Sequence, residues 1–186
     1  MSEYLYLYFI NWLNTIIVLK IKKGIIIMVI FHILFVGLLS CLVMDLWQRL
    51  VKLTYGINPS DWGVIGRWLI MLILKQKVLN PNIENEKPYK NELIIGWIFH
   101  YFVAILYSLA FFILIYYFEF LEASFYDGLI FGLITVIIPW FIFLPILGKG
   151  ILAVKTPKPI LVCSLSVWSH VAIGTPIGLL YQFLGY

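Results

Sequence analysis

Residues 24–44 read GIIIMVIFHILFVGLLSCLVM, an apolar run holding no charge and a single histidine, His32. A helix needs about 20 residues to cross the ~30 Å hydrocarbon layer of a bilayer, and this run has that length. Three further stretches repeat the pattern: Leu93–Phe118, Gly128–Leu147 and Ile160–Leu184, with His100 in the second stretch and His170 in the last. Backbone N–H and C=O groups cannot stay unpaired in lipid, so such stretches must be helices. The sequence therefore predicts an all-α integral membrane bundle of four transmembrane helices, folded as a single transmembrane domain over residues 28–186.

Composition agrees. The chain is 63% hydrophobic and only 12% charged, against roughly a quarter charged in soluble domains. With 186 residues mostly consumed by spans, no room remains for a separate soluble domain. The net charge of +4 does not signal nucleic acid, because the basic residues sit between the spans. The partner expected is the lipid bilayer; a second copy of the chain or a larger membrane complex stays open. Cys41 and Cys163 lie in different spans without CxxC spacing, so they read as small buried side chains and not as a disulfide.

Loop charges set the expected orientation. The Asp45–Glu92 loop carries Arg49, Lys52, Arg67, Lys75, Lys77, Lys87 and Lys90; the Gly148–Pro159 loop carries Lys149, Lys155 and Lys158. The Glu119–Asp127 loop has no basic residue. Cytoplasmic loops collect Lys and Arg, so the first and third loops are expected inside and the termini of the four-span bundle outside. Lys20, Lys22 and Lys23 contradict that assignment. Tyr4–Leu19 is apolar but short, broken by Asn11 and Asn14, and reads as an interfacial helix, a short extra span or sequence upstream of the true start. Residues 1–27 are accordingly read as an extension, with Met28 as the start that removes the conflict. A protein beginning at Met28 is expected to insert normally; its failure to reach the membrane would show that the extension is needed.

Within the first loop, Trp62–Leu74 is apolar but too short to span and holds Arg67. It is expected as an in-plane or partly re-entrant amphipathic helix anchored by Trp62 and Trp68. Each span also carries small or polar residues at helical spacing: Gly37, Cys41 and Asp45; Gly96, His100, Ala104 and Tyr107; Gly128, Gly132, Thr135 and Pro139; Ser166, His170, Gly174 and Gly178. Two of these stripes contain GxxxG. Lipid does not drive apolar helices together, so small residues and interhelical hydrogen bonds must. The stripes are therefore expected to face inward, with Pro139, Pro145 and Pro176 kinking or ending helical segments.

Depth selects the candidate site. At ~1.5 Å per residue, His100 sits about 12 Å from the start of its span and His170 about 16 Å. Asp45 is expected to close the first helix at that same end, with Arg67 capping the group and His32 in the opposite half. Ionisable groups at such depths are rare and need partners. The predicted polar cluster is Asp45, Arg67, His100, Tyr101 and His170, with the two histidines approaching one another. Three readings compete: a structural hydrogen-bond network, a site for a proton, ion or small polar solute, and a metal or haem site using Asp45, His100 and His170. Two imidazoles and a carboxylate suit zinc or iron, although HxxxH, HExxH and ExxH spacings are absent. No GxSxG and no complete phosphate-binding loop occurs, and Gly148-Lys149-Gly150 reads as a helix stop.

Several phrases occur in a recognisable order: Met44-Asp45-Leu46-Trp47, Gly66-Arg67-Trp68, Glu92 ahead of Gly96-Trp97-Ile98-Phe99-His100-Tyr101, Pro139 and Pro145 before Gly148-Lys149-Gly150, Thr156-Pro157-Lys158-Pro159, and Ser164-Leu165 ahead of His170. Together they resemble the bacterial membrane-protein family catalogued as domain of unknown function two thousand nine hundred thirty-eight. The likeness runs from about Met28 to Tyr186. It implies a small multi-pass protein of the bacterial inner membrane and brings no activity or cofactor with it. The expected function is handling of a proton, ion or small polar solute through the Asp/His cluster. A membrane-embedded metal- or haem-dependent enzyme and an assembly partner of a larger complex are the alternatives. Bound metal or haem would favour the first of these alternatives, and a stoichiometric co-purifying partner the second.

Overall fold

The first apolar run belongs to one continuous helix, α1 (Ser2–Tyr55). α2 (Trp62–Lys75) follows, then α3 (Glu92–Tyr116), α4 (Phe125–Thr135), a π turn (Pro139–Phe143), α5 (Leu144–Ile146) and α6 (Pro159–Phe183). The computed structural model describes residues 2–76 and 78–186, and the side chains of Lys20 and of residues 23–76 and 78–186. The side chains on which the interfacial-helix, short-span and early-start readings of Tyr4–Leu19 turn lie outside the described residues. So do that of Lys22 and the whole of Lys77.

Four helical stretches are long and apolar enough to cross a membrane: Lys23–Tyr55, Glu92–Tyr116, Phe125–Ile146 and Pro159–Phe183. Among the described residues there is no strand. The protein is an all-helical membrane bundle. Its outer faces display Ile98, Phe102, Ile134 and Ile137, each more than half exposed, which suits contact with lipid chains. One expectation fails here. Asp45 does not close the first helix, because α1 runs on to Tyr55. Leu46 to Tyr55 keeps helix-forming side chains with no Gly or Pro, and Gly56 at φ 68° provides the left-handed stop.

The small-residue stripes set the packing. α4 and α6 meet along Gly128 and Gly132 on one helix and Gly174 and Gly178 on the other. A Cβ on Gly132 would run into the His170 carbonyl, and one on Gly174 into the Gly128 carbonyl. The two GxxxG motifs therefore face each other, as close-packed membrane helices require. Gly37 of α1 abuts the Ile105 backbone of α3 in the same manner. α1 lies between α3 and α6, while α2 flanks α3 and α4 flanks α6. Phe111 of α3 meets Phe131 of α4 edge-on with centroids 5.3 Å apart, closing the bundle around Val36, Met44, Ala104, Ile173, Ile177 and Tyr181.

Prolines shape the third span. Pro139 has no N–H to offer the preceding turn, and the helix widens there into the π turn, whose closing bond runs from the Leu144 N–H to the Pro139 carbonyl. Single π turns of this kind often mark functional sites. The first and third loops meet at one end of the bundle, as four spans require. The Asn80 N–H donates to the Ile146 carbonyl at 3.3 Å, and Lys149 Nζ lies 3.1 Å from Glu84 Oε1. His32 sits at the other end, its Nδ1 2.8 Å from the Tyr186 hydroxyl.

α2 does not stand apart from the bundle. Asp61 caps it, Oδ1 accepting from the N–H groups of Gly63 and Val64 at 2.9 and 3.3 Å. The helix then runs antiparallel along the start of α3. Gly66 packs on the Glu92 carbonyl and Gly96 on the Trp62 carbonyl, with no space for a Cβ at either glycine. The Gly56–Asp61 connection folds back beside α1, where the Ser60 N–H donates to Gln48 Oε1 at 3.3 Å. Trp62 is thereby returned to the level of His100.

Candidate functional site

Asp45 and Cys41 lie one turn apart on α1 and face α3, on the stripe continued by Gly37. Close approach at Gly37 brings the two helices near enough for side chains as short as these to bridge them. His100 Nε2 lies 2.9 Å from Asp45 Oδ1 and 3.2 Å from Cys41 Sγ. The Tyr101 hydroxyl donates to the other carboxylate oxygen, Oδ2, at 3.0 Å. Asp45 is 7% exposed, His100 5% and Cys41 fully buried. Trp62 covers the imidazole, stacked at 3.9 Å between centroids and 24° between planes.

This geometry has a chemical consequence. Nε2 can carry only one hydrogen, yet two heteroatoms sit within hydrogen-bond reach of it. When that hydrogen is donated to Asp45, Cys41 must act as acceptor or remain weakly bound. When Nε2 is bare, the Cys41 S–H or a protonated Asp45 must donate. A proton can thus be placed at three positions on these residues with small side-chain movement. The cluster is suited to holding and passing one.

Arg67 does something else. Its guanidinium forms a fork on Glu92, Nε to Oε2 at 2.9 Å and Nη2 to Oε1 at 2.8 Å. Nη1 is shared among the carbonyls of Ile83, Glu84 and Glu86 at 3.0, 3.2 and 2.8 Å. Glu92 Oε2 also accepts from the Tyr89 N–H at 2.9 Å. The Glu92 hydrogen bond raises the Arg67 pKa above the ordinary arginine value, outweighing burial. Arg67 therefore ties α2, the start of α3 and the 3-10 turn Ile83–Asn85 together, and its partner is Glu92. The expected cap on Asp45 and the histidines is not what it forms.

His170 has a partner of its own. Its Nδ1 lies 2.9 Å from the Thr135 hydroxyl, which in turn donates to the Gly132 carbonyl at 2.9 Å. His170 is not bonded to His100 or Asp45. The two imidazoles nevertheless line one cavity of about 440 Å³. Its lining includes Gln48, Ser60, Asp61, Trp62, Glu84, Lys149, Ser166, Ser169 and Ile173. Pro139 and Phe143 of the π turn contribute to its wall.

Sequence reasoning missed four participants. Cys41 read as an inert small residue, although its place on the Gly37–Asp45 stripe already put it beside Asp45. Thr135 likewise sat on an inward stripe with no partner assigned. Glu92 read only as the start of a span. Trp62 read as an interfacial anchor, and nothing in the local pattern signals the chain reversal that stacks it on His100.

A family model described as a protein of unknown function (DUF2938) matches residues 34–182. No curated protein and no solved structure matches the chain. The matched region contains Cys41, Asp45, Trp62, Arg67, Glu92, His100, Tyr101, Thr135 and His170.

Proposed function

Since the chain belongs to the DUF2938 family of proteins of unknown function, we propose a role from its own site: it passes protons, with or without a small polar solute, through the cavity shared by His100 and His170. The observation that carries this reading is the placement of two imidazoles from different helices on one cavity. One of them is held by a buried carboxylate. Ionisable groups inside membrane segments commonly mark proton and ion pathways. The Asp45–His100–Cys41 group is the proton-holding station, and the His170–Thr135 pair is the second station along the same cavity. A cavity of about 440 Å³ lies within the size range of small-molecule sites, and its histidines, serines and Gln48 offer a solute both donors and acceptors.

Location in the inner membrane and orientation are part of the same proposal. Ten basic residues between Asp45 and Glu92 and between Gly148 and Pro159, against none between Glu119 and Asp127, support cytoplasmic placement of the end of the bundle where Glu84 and Lys149 meet.

Reconstitution tests the reading. Purified protein in vesicles loaded with a pH-sensitive dye should dissipate an imposed pH step faster than empty vesicles. His100→Gln and His170→Gln should each return the rate to that of empty vesicles while the protein still inserts and remains helical. Equal rates for wild type, both variants and empty vesicles would remove proton passage as the function.

A further inference from the structure

We infer that Cys41, Asp45 and His100 form a site for one divalent transition-metal ion of the zinc class. The inference deepens the reading of Asp45–His100 as an ion-handling pair by naming the ion that competes with the proton there. Sγ, a carboxylate oxygen and an imidazole nitrogen all lie within 4.8 Å of one another, and all three residues are buried.

Distances suit a single ion with little movement. Bond lengths to zinc of about 2.3 Å for sulfur and 2.0–2.2 Å for nitrogen and oxygen place tetrahedral ligand atoms ~3.3–3.6 Å apart. The observed Nε2–Oδ1 and Nε2–Sγ separations are 2.9 and 3.2 Å. On that scale His100 need part from Asp45 and Cys41 by only a few tenths of an ångström, and Cys41 Sγ lies within 4.8 Å of the carboxylate oxygen. The carboxylate is already oriented by the Tyr101 hydroxyl, the kind of outer contact that tunes metal ligands. A thiolate beside an imidazole selects zinc-class ions over magnesium or calcium, which prefer oxygen. Three protein ligands leave a fourth position open, and of the three residues His100 lines the cavity.

The loaded site balances in charge. A divalent ion with Cys41 thiolate, Asp45 carboxylate and neutral His100 sums to zero, so no net charge enters the membrane interior, where charge is costly. The Cys41 S–H proton leaves to water as the metal–sulfur bond forms, and no oxidation occurs. Without the thiolate the loaded site would be cationic.

The test uses full-length, tag-free protein in lipid nanodiscs. Cobalt(II) serves as a spectroscopic probe and zinc(II) for affinity. The expected results are one zinc per chain, proton release on binding as the Cys41 thiol ionises, and a near-ultraviolet thiolate-to-cobalt band. That band should vanish in Cys41→Ser and persist in Cys163→Ser. Zinc affinity should fall at least roughly tenfold in Asp45→Asn and His100→Gln, as even outer-shell changes do at metal sites. Helical content is matched first; if Cys41→Ser does not fold, weakening of the band in His100→Gln carries the test. Absence of saturable zinc binding, or a cobalt band unchanged in Cys41→Ser, would overturn the inference. Stoichiometric zinc binding without proton flux would discard the flux reading and keep the site; flux without zinc binding would do the reverse.

Discussion

Replacing Arg67 by methionine is expected to lower the stability of the bundle by ~3–5 kcal/mol, the scale of breaking a buried ion pair by removing one partner. Arg67 is 6% exposed, and methionine replaces much of its packing but none of its donors. The substitution strands the Glu92 carboxylate and takes a shared donor from three backbone carbonyls at once. Arg67→Lys keeps the charge but cannot form the fork, so it should fall between wild type and Arg67→Met. Unfolding in mild detergent, followed by circular dichroism, gives the comparison. A loss below ~1 kcal/mol for Arg67→Met, the range of an exposed ion pair, would show that α2 and the first loop are held in place by other contacts. Because α2 carries Trp62 to His100, loss of the clamp should also loosen the covered face of the imidazole.

The second large effect separates stability from function at Asp45. Asp45→Ala removes the acceptor for both the His100 ring and the Tyr101 hydroxyl. Leaving the buried His100 ring with only the weak Cys41 contact costs about 1–3 kcal/mol, and the half-buried Tyr101 hydroxyl adds less. Asp45→Asn keeps the shape and one carbonyl acceptor, so it should lose no more than ~1–2 kcal/mol, the scale of an interhelical hydrogen bond. An amide cannot take up the proton, however, and flux should drop as far in Asp45→Asn as in Asp45→Ala. Unfolding curves and vesicle flux on the same preparations make the comparison. Full flux in Asp45→Asn would confine this residue to a structural role.

The readable part of this protein was its helical framework, and the reason is physical. Lipid forces every span into a helix, so apolar length alone locates the spans, and only small residues allow helices to touch. The stripes holding Gly128, Gly132, Gly174 and Gly178, and Gly37, Cys41 and Asp45, were therefore legible as inward faces, while the pairing of α4 with α6 and of α1 with α3 is set by the fold. The end of α1 was misplaced because a charge was read as a helix boundary. Asp45 is instead hydrogen-bonded to His100 and Tyr101 inside the bundle, which an apolar-run criterion does not register. Arg67 was assigned to the wrong partner for a related reason. Depth puts Glu92 and Asp45 in the same half, while the antiparallel packing through Gly66 and Gly96 decides which carboxylate the guanidinium meets. Trp62 was beyond reach altogether, since its contact depends on the fold-back of Gly56–Asp61. The two histidines share a cavity but not a partner; their depths suggested nearness, and only helix rotation sets where each ring points.

Both imidazoles line one cavity whose wall includes Glu84 of the first loop and Lys149 of the third, and the most direct test is histidine modification from one side of the membrane at a time. Diethylpyrocarbonate would be supplied to sealed vesicles of each orientation, and modified histidines mapped by mass spectrometry. Reagent on the face bearing Lys149 and Glu84 should modify His100 and His170, and reagent confined to the opposite face should modify neither. Modification of the two histidines from opposite faces, or of neither from either face in folded protein, would contradict a shared cavity.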